Sequence, residues 1–570
     1  MKIILRVLGL ICALALSVGA AELPKDASPV LVALRAELDR SMTTFKAQPA
    51  PAYFLGYEAF ERHAYSVGAS FGALQYSNES RSRQFDIDLR VGDYSLDNTH
   101  PLRGSNQTPS PGAHALPVED DVAAIRAAVW YQTDRRYKAS VEQLDKAKSD
   151  VQVNVAEEDK SPDFCAAPAE VCIEKPRDVT LDRAAWEVRL RRFTEPFAAY
   201  GDVFSAHASV NVEAQTRWYV DSGGTLLQTT QISARLVISA STKAEDGMVL
   251  PRYETWFAFN ADQLPSDKEV LAAVTKLIAE LQALRKAPLA DPYTGPAILS
   301  GRAAGVFFHE VFGHRVEGHR QKRAEEGQTF KKMLGQPVLP PTFAVYSDPQ
   351  LDHYGTVPLG GYYLYDDQGV KARRVNLVEA GLFKGFLMSR MPIEGFLESN
   401  GHGRKSPGNA VVARQANLIV EVAQTVTREQ LKKDLLRLVA EQNKPFGLFF
   451  EDIEGGFTIT SRTIPNSFNV RPLLVYRIYP DGREELVRGV DFIGTPLSTF
   501  SKVVEADDAP GVFNGTCGAE SGWVPVSAVS PGLLISQVEI QKKEKSQDRL
   551  PLLPAPTVPT APAVQATTAK

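Results

Sequence analysis

Two histidines, His309 and His314, bracket a glutamate at the end of the apolar run Ala303-Ala304-Gly305-Val306-Phe307-Phe308-His309-Glu310-Val311-Phe312-Gly313-His314. Imidazole nitrogens ligate zinc, and a carboxylate beside the first ligand is placed to act as a base toward water that the metal activates. In the common form of this arrangement the histidines stand four residues apart and share one helical face. Here they stand five apart, which on a regular helix of roughly 3.6 residues per turn separates them by about 140°. Both can hold one ion only if the helix widens by a residue, a π-bulge of the kind that marks functional sites. Gly313 lowers the cost of such a distortion. Without it, the two are unrelated histidines.

Catalytic zinc takes three protein ligands and leaves one position open to water. Cys517, in the turn Asn514-Gly515-Thr516-Cys517-Gly518, is the first choice for the third, because glycines admit close backbone approach and a thiolate binds zinc. Glu317 is a rival, although it reads more readily as a carboxylate behind the ligands or at the surface. His319 competes too, but suits the surface or the substrate side better. Glu310 would take a proton from the activated water and return it to the leaving amine. Hydrolysis of peptide bonds is the chemistry these groups suit. A zinc amidase acting on a cell-wall component would need the same groups. A binding subunit with a structural metal would have no use for a base at Glu310.

The elements that must position these residues follow from patterning. The chain has 570 residues, 44% hydrophobic and 23% charged, with a net charge of −5. That composition is globular, and its balance gives no sign of nucleic-acid binding. Lys2 and Arg6 precede an apolar run from Val7 to Val18 and the small residues Val18-Gly19-Ala20. This reads as a secretory signal over residues 1–21, cleaved after Ala20 or Ala21. The run is short for a membrane span. The mature chain is therefore expected in the periplasm or secreted, with no stable membrane insertion. Cys12 leaves with the signal. In an oxidising space Cys165 and Cys172 are expected to form a disulfide, leaving Cys517 alone.

Ser28 to Phe45 reads as a helix, and residues 52–96 as strands, with Phe85 to Val91 alternating like a half-buried one. A loop over 101–117, a helix over 119–149 and an irregular insertion over 150–180 follow. Strands return from Phe204 to Ser241, turning at Asp221-Ser222-Gly223-Gly224. Ser266 and Glu269 form a capping box for a helix whose Val270, Val274, Leu277, Ile278, Leu281 and Leu284 share a face. Prolines at 288, 292 and 296 end it. From Thr342 to Ile540 the pattern is strands and glycine turns, with one helix near Arg428 to Gln442. The fold class is thus α+β. A mixed α/β N-terminal domain (22–290) precedes a β-rich C-terminal domain (291–545), the metal-binding helix lies near their junction, and a Pro/Ala-rich disordered tail follows (546–570).

Several ordered segments resemble the TldD/PmbA family of metallopeptidases, in its metal-binding TldD-like branch. They are the His-Glu-x-x-x-His helix and Tyr293-Thr294-Gly295-Pro296-Ala297-Ile298-Leu299 before it. Further on come Tyr365-Asp366-Asp367-Gln368-Gly369 with Leu377 to Leu382, then Glu454-Gly455-Gly456 through Thr460, and Gly515-Thr516-Cys517-Gly518 with Val524-Pro525-Val526. The likeness covers about residues 293–540. It implies zinc held by His309, His314 and Cys517, with Glu310 catalytic. It also implies cleavage of flexible or unfolded peptides, and a homodimer or a heterodimer with a sister protein lacking the metal motif. His319 stands where the family often has an acidic residue, and the signal and the 150–180 insertion are unlike its cytoplasmic members. The strand carrying Gly455, Gly456, Thr458 and Thr460 is a candidate edge for an extended peptide, which would be read through its backbone.

Overall fold

The computed structural model describes residues 23–102, 110–153, 159–322, 326–461, 468–543, 549–553 and 555. The expected signal at 1–21 lies outside them, as does most of the expected tail. No helix among the described residues is long and apolar enough to cross a membrane.

The α+β reading holds, with a mixed N-terminal region and a β-rich C-terminal one. The first region is built on long antiparallel strands, Ala52–Ser70, Ala73–Val91, Val203–Asp221 and Leu226–Lys243. Helices Pro29–Phe45, Val122–Val153, Arg183–Thr194 and Asp267–Lys286 cover one face. Ser28 caps the first of these, and the Ser266/Glu269 capping box is present in full at the start of the last. The turn after Asp221 is also as expected, with Gly223 and Thr225 donating backbone N–H to Asp221 Oδ1.

The other face of this sheet departs from expectation. Alternation predicts that Asp86 and Arg90 face water, yet both are buried: the C-terminal region rests on Asp86, while Arg90 pairs with Asp97 at 3.0 Å and lies against the Phe164 ring. Lys405 pairs with Asp86 and, at 3.0 Å, with Glu58. Arg217 reaches across from Glu58 to the Asp366 carbonyl at 2.7 Å. Buried charges persist where they are paired, so here alternation marks a docking face.

The segment expected as an irregular insertion is partly a strand. Val171–Ile173 joins the first sheet, parallel to Leu226–Gln228. The residues before it bind the C-terminal region: Cys165 N donates to Arg390 O at 2.9 Å, and Lys322 Nζ to Pro162 O at 2.6 Å. The expected disulfide is absent, since Cys165 and Cys172 are both free. Cys172 is committed to the ladder opposite Leu227, while Cys165 is held at Arg390.

Beside two short two-stranded pairs among the described residues, the C-terminal region is built on two large sheets. In one, Gly447–Thr458, Tyr293–Leu299, Leu533–Lys542, Val490–Gly494 and Phe468–Ile478 follow in order, and pairing of the first with the last closes a ring. The other runs Leu382–Phe383, Val375–Glu379, Phe343–Ser347, Asn417–Val422, Gly522–Ser530 and Gly511–Ala519. The helix Gly301–Val311 packs between them and is buried except at Arg302. An apolar sequence on all sides suits that position. Gly301 is required there, because a Cβ would lie 2.3 Å from Gly511 N.

Candidate functional site

Ser300 caps the buried helix, accepting from Ala303 N at 3.3 Å, and its hydroxyl donates to Glu451 O at 2.7 Å. The helix therefore starts fixed to the strand Gly447–Thr458 and delivers His309 and Glu310 at its far end. The expected π-bulge does not occur. The α-helix stops at Val311, Phe312 turns to φ −112°, and Gly313–Val316 continues as a tighter 3₁₀ turn. This change of pitch brings the two imidazoles together, with ring centroids 4.9 Å apart. Gly313 serves a different purpose from the one expected. A Cβ there would sit 1.8 Å from Gln415 Oε1, so the glycine makes room for a neighbour.

The hairpin of Gly511–Ala519 and Gly522–Ser530 brings Cys517 to the histidines. Its Sγ lies 3.3 Å from His314 Nε2. Ligand atoms of His309, His314 and Cys517 all fall within 4.8 Å of one another. Donor atoms that share a zinc ion at bonds of about 2.0–2.3 Å lie somewhat closer than that, so binding an ion would draw the three together. The donor set fits zinc in two further ways. It combines nitrogen and sulfur, and His309 Nδ1 is buried with no hydrogen-bond partner.

The rivals for the third ligand are accounted for otherwise. Glu317 is fully buried behind His314, whose Nδ1 lies 3.2 Å from Oε1. This is the carboxylate–histidine contact that orients a ligand and selects its tautomer. Arg320 Nε donates to Glu317 at 2.8 Å. Burial pushes the Glu317 carboxyl up, but His314 and Arg320 outweigh it and hold it at about 2. His319 is turned to Glu520, at 2.5 Å. Burial pushes the Cys517 thiol up, but the charges of His314 and His309 hold it well below its ordinary range.

Glu310 lines the same cleft, of about 510 Å³, without joining the ligand group. Gly456 lets the strand pass close to it, since a Cβ there would be 3.1 Å from Glu310 Cγ. The cleft lies between two sheet edges. One is Gly511–Ala519, the outermost strand of its sheet. The other belongs to Gly447–Thr458, whose pairing with Tyr293–Leu299 ends at Phe450. Gly455 and Gly456 line the cleft, with Phe457 and Trp523 exposed at its rim. The Thr458 hydroxyl is taken by Arg315 and that of Thr460 by Arg320, so these threonines anchor their strand to the histidine segment.

Sequence reasoning missed Arg414, Gln415 and Glu520. Gln415 Nε2 donates to His309 O at 3.3 Å, and Arg414 donates to Cys517. Arg414 and Gln415 lie about a hundred residues from these partners, and Glu520 about two hundred from His319, and no motif marks them.

A family model described as the PmbA/TldA metallopeptidase C-terminal domain matches residues 292–542. A metalloprotease from Archaeoglobus fulgidus is 28% identical over 249 residues, 42% of this chain and 51% of the relative. A zinc metalloprotease TldD homolog from Saccharolobus solfataricus is 26% identical, over 48% of this chain and 56% of its own length. The chain thus spans about half the length of the curated relatives it matches. Among solved structures, TldE from Thermococcus kodakarensis superposes with a TM-score of 0.57 at 13% identity, covering 89% of this chain and 100% of that one. A putative modulator of a DNA gyrase from Thermotoga maritima does so at 0.55 and 15%, covering 89% and 99%. At these identities the likeness is one of fold.

Proposed function

Since the chain belongs to the TldD/PmbA family of metallopeptidases, we propose that it is a zinc-dependent peptidase acting on flexible or unfolded peptides. The observation that carries this reading is the meeting of His309, His314 and Cys517 beside Glu310 in one cleft. These three residues would hold the ion. Bound zinc would supply Lewis acidity to the attacking water and the scissile carbonyl. Glu310 takes the proton of the attacking water and passes it to the leaving amine. Glu317 keeps His314 turned toward the site.

An extended peptide would lie between the two sheet edges and pair through its backbone. A folded protein presents few free backbone groups, so flexible segments are the substrates. This reading leaves side-chain preference to the rim, at Phe457 and Trp523. A zinc amidase acting on a cell-wall component would lack the regular backbone that the edges offer. Following the notion of paired subunits in the family, a second copy or a sister chain would complete the working assembly, in the periplasm or outside the cell.

The test is to measure zinc content and cleavage of an unstructured peptide for wild type, Glu310→Gln and Cys517→Ala. Glu310→Gln should retain zinc and lose about 10²–10⁴ in rate, the usual contribution of a general base. Cys517→Ala should lose zinc. Full activity of Glu310→Gln would refute the mechanism.

A further inference from the structure

We propose that Arg414 is the positioning residue for the cysteine ligand. Its guanidinium fixes the hairpin at the separation from His314 that lets one zinc ion take all three donors. The proposal rests on the zinc reading above.

Arg414 follows the short strand Val412–Ala413, and its backbone N–H donates to His402 O at 2.9 Å. Its side chain is wholly buried. Nη2 donates to Cys517 O at 2.9 Å and lies 3.2 Å from Cys517 Sγ. Nη1 donates to Ser521 Oγ at 2.9 Å and to Gly522 O at 3.1 Å. The two nitrogens therefore grip the hairpin on both sides of its turn. Nε lies 3.5 Å from Glu317 Oε1, the carboxylate that faces His314. One planar group thus spans the distance from the third ligand to the carboxylate behind the second.

The hairpin needs such a group. Cys517 lies two residues before the turn, on an outermost strand whose ladder runs along one side. Hairpin ends open easily when little is packed against them. A guanidinium presents its donors in a fixed plane, whereas lysine offers a single rotating ammonium. Arg414→Lys therefore keeps the positive charge beside the sulfur and removes the fork.

The experiment measures zinc affinity by chelator competition. It also records the absorption of the cobalt-substituted protein, where a sulfur-to-cobalt charge-transfer band reports a bound thiolate. Wild type should show the band and Cys517→Ala should lack it. Arg414→Lys should bind zinc about 10–100-fold more weakly, as loss of outer-shell partners does, with a weakened or shifted band. Ser521→Ala removes one acceptor of the fork and should cost about 2–10-fold. Wild-type affinity and an unchanged band in Arg414→Lys would overturn the proposal. If circular dichroism shows that variant unfolded, Ser521→Ala decides, and an unaltered affinity there overturns it. A band that survives in Cys517→Ala refutes the zinc reading itself, and this proposal with it.

Discussion

Replacing Gly313 by alanine separates two explanations of that glycine. Its φ is not positive, so the backbone does not require glycine. In helical conformation alanine is favoured by about 1 kcal/mol. Against this stands Gln415, whose Oε1, Cδ and Nε2 would lie 1.8, 2.2 and 2.6 Å from the new Cβ. Gln415 is buried and donates to the His309 carbonyl. Moving it breaks that bond and leaves a buried carbonyl unsatisfied, at about 1–3 kcal/mol. Repacking adds about 1–3 kcal/mol. After the propensity gain, the net loss is about 1–5 kcal/mol. Urea unfolding of metal-free protein, followed by tryptophan fluorescence, would measure it. The decisive comparison is a double-mutant cycle. In a Gln415→Ala background the clash has no partner, and Gly313→Ala should cost less than about 1 kcal/mol. An equal cost in both backgrounds would return Gly313 to a role in backbone freedom and refute the close-approach argument.

Gly456→Ala places a Cβ 2.7 Å from Asn469 O and 3.1 Å from Glu310 Cγ. It should lower the cleavage rate by about 10–100-fold through misplacement of Glu310 while zinc content stays at the wild-type level. Loss of zinc instead would mean that the strand supports the ligands. His402 is wholly buried, and burial drives its pKa down to about 3. The unfolded chain takes up a proton near pH 6.5 and the folded chain does not, so this group's stability is full above about 6.5 and falls as pH drops toward 3. Wild type should lose about 1.4 kcal/mol per pH unit relative to His402→Asn across that window, and parallel urea curves for the two would contradict this. Iodoacetamide on chain unfolded without reductant should alkylate Cys165, Cys172 and Cys517. Protection of the first two would restore the disulfide.

What was legible in the sequence was what is local or chemically distinctive. The Ser266/Glu269 capping box involves residues three apart and needs no tertiary partner. His309, Glu310, His314 and Cys517 stand out because few residue types ligate zinc. The way in which the histidines meet was not legible. The five-residue spacing demanded a departure from the regular helix, but a π-bulge and a break into a 3₁₀ turn satisfy that demand equally. The choice is made by packing against Gln415, in the segment that leads into the strand Asn417–Val422. Arg414 was invisible for the same reason, since an isolated arginine in sequence is usually a surface residue. The cysteine pair misled because closeness along the chain says nothing about direction. Cys172 belongs to a ladder and Cys165 to the interface at Arg390. Alternation at Asp86 and Arg90 was read correctly as a strand, but polarity alone does not tell water from a charged partner such as Lys405.

The same packing decides what metal removal should do. In small zinc domains the ion supplies the folding energy, and chelators unfold them. Here the helix Gly301–Val311 is part of an apolar cluster that runs through both large C-terminal sheets. Two of the three ligands also have protein partners of their own, His314 lying between Cys517 and Glu317, and Cys517 beneath Arg414. The metal-free chain should therefore keep its fold. Zinc should raise its stability only by mass action, about 4.1 kcal/mol at free zinc a thousandfold above Kd. Titrating zinc into chelator-treated protein should leave the circular dichroism spectrum unchanged, and the unfolding midpoint should climb with the logarithm of free zinc. Collapse of the spectrum on chelation would show that the ion builds the site, and that the Arg414–Glu317 framework does not stand without it.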